Sequence, residues 1–203
     1  MIVLGGNNMN FKTTHLFVLA SASPRRKELF SLLNVPFDIV TSDVEETSVT
    51  AQNVQQYVTE VALLKTRDVA KKCPNKTVIG ADTIVVYNDM LLHKPKSREE
   101  AINHLQTLSN DTHAVLTAVA ILAPNGQEFT FVEETKVIFK DVPQQLIEAY
   151  VDSADPFDKA GGYGIQTDGV FFVDRIEGDY NNVVGLPIAS LVENLLSLRY
   201  ISI

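Results

Sequence analysis

The sequence predicts an α/β fold, and three observations carry that reading. Short apolar runs that read as buried strands, such as His15 to Ala20 and Thr77 to Ala81, alternate with segments of helical periodicity. Polar clusters bearing glycine or proline follow or interrupt those runs. The chain has 203 residues with 45% apolar content, enough for one large domain or one domain with two lobes. In open α/β sheets the strand ends line the ligand crevice, so the polar clusters are the places to look for chemistry.

The first strand stops at Ser21-Ala22-Ser23-Pro24-Arg25-Arg26. Ser23 suits an N-cap and Pro24 the first helical position. Arg25 and Arg26 then stand at the positive end of the helix dipole, the unfavourable end for cations. Two solvated arginines would be one account of them. An anion held by hydroxyls, backbone N–H groups and two guanidinium forks would be another. Leu29, Leu32 and Leu33 give this helix its apolar face, and Asn34 and Pro36 end it. Phe37 to Thr41 reads as a short strand that runs into the acidic stretch Ser42 to Thr47. Glu46 and its neighbours there form either a solvated loop or part of a Mg²⁺ site, since Mg²⁺ takes one or two carboxylates plus substrate phosphates.

Gln52 to Lys72 reads as a long amphipathic helix with Val54, Val58, Val61, Ala62 and Val69 on one stripe. Lys65 falls on the same stripe, so it must snorkel out or meet an anion. The run Val78 to Val86 is interrupted by Asp82 and Thr83, although aspartate is depleted in strands. Asp82 is then either a turn cap or a carboxylate presented from a rigid strand. Asn88-Asp89 marks a hairpin turn, after which Lys94 precedes Pro95. Ser97 caps a helix whose face is Ala101, Ile102, Leu105 and Leu108. Strands from His113 to Leu122 and from Phe129 to Phe139 meet at Pro124-Asn125-Gly126, and Asp141 and Pro143 open a helix through Val151. Asp155 to Gln166 is a glycine-rich loop with Asp158, Lys159 and Gln166. Val170 to Ile176 reads as a strand, Glu177 to Gly185 as a loop, and Pro187 to Leu198 as a final helix.

The net charge of −8 opposes non-specific binding to nucleic acid. It leaves room for a small anion, because a local cationic cluster with a metal can reverse the local field. The single cysteine, Cys73, allows no internal disulfide. No apolar run reaches the roughly 18 residues of a membrane span. Residues 1–14 carry no signal-peptide pattern and read as an extension before a single domain over 15–203. Arg25, Arg26, Lys65, Lys94 and Lys159 with Glu46, Asp82 and Asp158 have the composition of a polyphosphate site with a divalent ion.

Five separated motifs carry a family resemblance: Ala20 to Arg26, Gly80-Ala81-Asp82-Thr83, Lys94-Pro95, Asp158 to Gln166, and Gly178-Asp179-Tyr180 with Val184-Gly185-Leu186-Pro187. Together they resemble the Maf family of nucleoside triphosphate pyrophosphatases over about Leu16 to Leu196. The resemblance implies an elongated mixed sheet flanked by helices, with two lobes and a central cleft, similar to the inosine triphosphate pyrophosphatases. It implies hydrolysis of a triphosphate to monophosphate and pyrophosphate with Mg²⁺ or Mn²⁺. Asp82 would be the proton acceptor and, with Glu46, would hold the metal. Ser21, Arg25, Arg26, Lys65 and Lys94 would bind substrate. Arg25, Thr83 and Gln166 resemble the subgroup acting on dTTP and UTP, and the Gln166 amide could read the edge of thymine or uracil. The resemblance also favours a cytoplasmic homodimer. Asn110 stands where the family usually has glycine, in a turn where asparagine tolerates a left-handed conformation. Two competing readings are a nucleotide-binding regulator without turnover, and the same chemistry on 7-methyl-GTP or a non-canonical purine triphosphate.

Overall fold

The computed structural model describes residues 9–45 and 49–203. Its sheet has the strand order β2-β1-β3-β5-β6-β7, with β4 also paired to β3. The strands are β1 (Phe17–Ala20), β2 (Phe37–Ile39), β3 (Thr77–Tyr87), β4 (Met90–Leu92), β5 (Thr112–Leu122), β6 (Glu128–Phe139) and β7 (Val173–Glu177). β1 runs parallel to β2 and β3, and the other pairs are antiparallel, so the sheet is mixed. The helices are α1 (Pro24–Ser31), α2 (Val54–Lys72), α3 (Arg98–Leu108), α4 (Gln144–Asp152), α5 (Tyr180–Val184) and α6 (Ile188–Ser197). The expected mixed sheet flanked by helices is therefore present.

β3 is the axis of the fold. Along one edge it pairs with β5 from Val78 to Val86. Along the other it pairs with β1 only as far as Gly80, and then with β4 from Val85. Among the described residues, Ala81 to Ile84 have no strand beside them on that edge. The interruption at Asp82 is thus not a turn. β3 runs straight through it for 11 residues, and it is the neighbouring strand that stops.

The two faces of β3 are covered differently. Ile79, Ala81 and Val85 join the main core with α1, α3, α4 and α6. Ile84 and Val86 pack with Val58 and Ala62 of α2 on the opposite face. Gly80 also points at α2, and a Cβ there would lie 2.2 Å from Thr66 Oγ1. That close approach lets α2 lie on the strand.

Local chemistry explains most boundaries. The Ser23 hydroxyl accepts from Arg26 N, and Pro24 occupies the first turn of α1. Asn53 and Ser97 cap α2 and α3 in the same way. Asn88 (φ 47°) and Asp89 (φ 62°) are both left-handed, as the tight β3–β4 hairpin requires. Asn110 (φ 58°) takes the left-handed conformation expected of it.

Two elements differ from the sequence expectation. The strand expected from Val170 begins only at Val173, because Asp168–Phe172 forms a 3₁₀ turn that buries Phe172 and exposes Val170 and Phe171. The loop expected from Glu177 to Gly185 contains α5, which is capped by Asp179 and too short to show a period. Residues 9–14, part of the expected extension, are tied to the fold: Lys12 bridges Ser202, and Thr13 donates to the Tyr200 carbonyl at 2.7 Å.

Replacing Gly80 with alanine should cost about 1–3 kcal/mol, because the methyl group must displace the Thr66 side chain or α2 itself. Urea denaturation checks this, and Thr66→Ala in the same chain should recover most of the loss.

Candidate active site

A cleft of about 870 Å³ opens on the unpaired edge of β3, within the range that takes a small-molecule ligand. Because it opens on an edge rather than a face, consecutive residues of β3 can both line it. Asp82 looks toward the α2 side and Thr83 toward the main core, yet both reach the cleft. The turn leaving β1 supplies Ser21, Arg25 and Arg26, since β1 ends level with Gly80 just before the gap.

Lys65 meets an anion, one of the two outcomes its place on the apolar stripe allowed. Its ammonium lies 2.8 Å from Asp82 Oδ1, with both side chains largely buried. Removing either partner leaves a charge with little solvent to compensate it. Asp82 itself is only 8% exposed.

Arg26 is clamped. Its Nε donates to the Gly185 carbonyl at 2.8 Å and its Nη2 to Thr83 Oγ1 at 2.9 Å. Thr83 lies 2.9 Å from Thr117 Oγ1, which donates to the Asn182 carbonyl at 3.0 Å. A hydroxyl has one proton, so the order of donation is fixed. Thr117 gives its proton to Asn182, Thr83 gives its proton to Thr117, and the Thr83 oxygen accepts from Arg26. Thr83 therefore holds the guanidinium and has no proton left to donate to a ligand. This also places the Gly178 to Pro187 motif: Asp179 starts α5, and Gly185 ends it with its carbonyl turned to Arg26.

Arg25 reaches across the cleft to the glycine-rich loop, where its Nη1 donates to Asp158 Oδ2 at 3.1 Å. Gln166 and Lys94 are exposed on the cleft wall, and among the described residues their side chains make no hydrogen bond or ion pair. The Ser21 hydroxyl accepts from Ser23 N at 3.2 Å.

A family profile described as Maf-like protein matches residues 16–198. The chain belongs to the Maf family. It is 49% identical over 183 residues to a protein of Geobacillus sp. (strain WCH70) named dTTP/UTP pyrophosphatase, covering 90% of this chain and 98% of that one. A Bacillus cereus (strain ATCC 14579) protein of the same name is 50% identical over 178 residues, covering 88% and 93%. In fold, the chain is similar to a HAM1 protein from Coxiella burnetii, with a TM-score of 0.55, 16% identity, and coverage of 90% and 99%. It is also similar to the Staphylococcus aureus Ham1 protein, with a TM-score of 0.52, 16% identity, and coverage of 91% and 99%.

The Maf motifs converge on one place. Ser21, Arg25, Arg26, Lys65, Asp82, Thr83, Lys94 and Gln166 all line the cleft. Glu46, the expected second carboxylate for a metal, lies outside the described residues. Lys159 needs correction as a free cation of the site. Its ammonium donates to Asp155 O at 2.7 Å, Asp155 Oδ1 at 2.9 Å and Asp158 Oδ1 at 2.6 Å, which uses all three of its protons. Sequence reasoning missed Lys96 on the cleft wall, Thr117 and Asn182 behind Thr83, and Asp155 beneath the loop. Lys96, two residues after Lys94, could have been found by extending the Lys94-Pro95 motif. The others carry no local signal.

His113 braces the glycine-rich loop from below, with Nε2 2.7 Å from the Tyr163 hydroxyl. Burial holds its pKa down at about 4, against a small opposing pull from Asp111. The unfolded chain, with an ordinary histidine near 6.5, takes up this proton first. Wild-type stability should therefore fall as pH drops from 6.5 to about 4, by roughly 3 kcal/mol. Urea midpoints across that range for wild type and His113→Phe are the check, and the variant should lose this part of the slope.

Proposed function

We propose that this Maf protein hydrolyses dTTP and UTP to the nucleoside monophosphate and pyrophosphate, and so removes unwanted nucleotides from precursor pools. The observation that carries the reading is the Asp82 carboxylate on a rigid strand in a cleft lined by Arg25, Arg26, Lys65 and Lys94. The names of the relatives at 49% and 50% identity support the pyrimidine substrates.

Cleavage joins a water oxygen to the α-phosphorus and breaks the bond from that phosphorus to the oxygen bridging to the β-phosphate. Asp82 aims the water and takes its proton. Lys65 holds the carboxylate by Oδ1 at 2.8 Å, which leaves its other oxygen to take the proton. Arg26, Lys65 and Lys94 hold the three phosphates, Arg25 turns with Gln166 toward the base, and the exposed Lys94 is placed to take the charge that develops on the leaving pyrophosphate. The Gln166 amide both donates and accepts, which suits the N3–H and carbonyl edge shared by thymine and uracil. Tolerance of both bases follows, because they differ by one methyl group.

The donor set suits a hard divalent cation. Among the described residues no group of three or more potential ligands gathers. The protein would offer Asp82 with Glu46, and phosphate oxygens and water would complete the shell of Mg²⁺ or Mn²⁺. When bound, the ion would neutralise phosphate charge. No helix among the described residues is long and apolar enough to cross a membrane. A cytoplasmic homodimer without stable nucleic-acid binding completes the proposal.

The test is pyrophosphate release from dTTP, UTP, CTP, ITP, 7-methyl-GTP and the common purine triphosphates, with Mg²⁺ and with Mn²⁺. Release confined to dTTP and UTP is expected. Release from 7-methyl-GTP or ITP instead overturns the substrate, and no release at all overturns the enzyme. Asp82→Asn should lower kcat by about 10²–10⁴ while nucleotide binding persists.

A further inference from the structure

The glycine-rich loop is anchored by a chain of charges that ends on Arg25. Asp155 lies at its base. Asp155 Oδ2 accepts from the Tyr150 hydroxyl at 2.5 Å and from the Thr167 hydroxyl at 2.6 Å. Its Oδ1 and its backbone carbonyl take two of the three protons of Lys159. Lys159 is 8% exposed and gives its third proton to Asp158 Oδ1. The other oxygen of Asp158 accepts from Arg25. Among the described residues, Asp158 is the side-chain partner of Arg25.

The path of Lys159 is built into the loop. A Cβ on Gly164 would lie 2.6 Å from Lys159 Cε, so the lysine stem passes over a residue that must lack a side chain. Gly164 N is held in turn by the Tyr150 hydroxyl at 3.0 Å. Burial opposes ionisation of Asp158, but the hydrogen bonds from Lys159 and Arg25 outweigh it and hold its carboxyl below the usual range. Arg25, Asp158, Lys159 and Gln166 line both the main cleft and a second hollow beside it, so they form a shared wall.

We propose that Asp158 is a further specificity-determining residue that acts by positioning the Arg25 guanidinium, and that Lys159 is the anchor that fixes Asp158 rather than a ligand of phosphate. The bridging carboxylate sets one end of the Arg25 fork, and the same loop carries Gln166 two residues after Gly164. Arg25 and Gln166 are then held on one wall by one set of charges, which fixes their separation. Lys159 cannot turn to a phosphate without leaving the mostly buried Asp155 carboxylate without its counter-charge. The inference rests on the reading above that Arg25 and Gln166 face the base.

The test separates base reading from phosphate binding by using inorganic triphosphate, which has no base, as a competitive inhibitor. Asp158→Asn and Lys159→Met should raise KM for dTTP and UTP roughly tenfold, with kcat within about twofold. Inhibition by inorganic triphosphate should stay within about twofold of wild type. In an Arg25→Ala background, Asp158→Asn should have no further effect, because the residue acts through Arg25. Weakened inhibition by inorganic triphosphate in Lys159→Met overturns the anchor role. Additive effects of Arg25→Ala and Asp158→Asn overturn the positioning role. If Lys159→Met does not fold, the Asp158→Asn cycle decides, since that side chain is 62% exposed and its loss spares the core. Asp155→Asn with Lys159→Met removes the cation together with one of its counter-charges, and its melting point should exceed that of Lys159→Met alone. The cycle is read with whichever triphosphate wild type turns over, so a wrong substrate assignment shows in the wild-type panel and not here.

Discussion

A strand that keeps its place in a sheet while losing a neighbour for four residues is the constraint on which this molecule depends. β3 is held by β5 from Val78 to Val86, so the missing partner does not let it fray. The gap from Ala81 to Ile84 turns an interior strand into a local edge. At that edge backbone groups and alternate side chains of both faces become available to a ligand. A carboxylate buried in the middle of a strand needs a counter-charge or access to solvent or ligand. Here that is the Lys65 ammonium on one side and the cleft on the other. The α2 helix can deliver Lys65 because Gly80 lets it settle onto the strand.

Charge in the cleft follows a consistent pattern. The protein is acidic overall, yet Lys65 and Arg25 each reach a carboxylate across the fold. Arg26 reaches the Gly185 carbonyl and Thr83. A cation paired with a carboxylate shares its charge, whereas Lys94, with no ion pair among the described residues, keeps its own for an anionic ligand. The cationic wall is therefore graded, from Lys94 at the exposed rim to Lys65 at the floor.

What the sequence could show was set by distance along the chain. The Ser23 cap, Pro24 in the first turn, the Asn88-Asp89 hairpin and the α2 stripe are local, and each stands where its pattern placed it. Lys65 was legible as an anomaly but not as a partner of Asp82, because periodicity gives a face and not a contact. Lys159 was misjudged for the same reason. A lysine in a glycine-rich loop counts as a free cation until Asp155 and Asp158 fold around it. The Thr83–Thr117–Asn182 relay joins three separate elements and leaves no local trace. α5 is a single short turn, below the length at which a period can be recognised.

The register of the sheet also bears on how the cleft comes into being. β5 and β6 join through a tight turn, as do β3 and β4, and only β4 and α3 separate β3 from β5, so these pairings close the smaller loops. β1 meets β3 at Phe17 and Thr77, with a strand and two helices of intervening chain to be gathered first. Closing that loop carries the larger entropy, and such contacts form late when topology governs the rate. The half of the sheet that forms easily carries Asp82 and Thr83, and the half that forms with difficulty carries Ser21, Arg25 and Arg26. A full-length chain refolding from the unfolded state would accordingly assemble the half with Asp82 and Thr83 before the half with Ser21, Arg25 and Arg26.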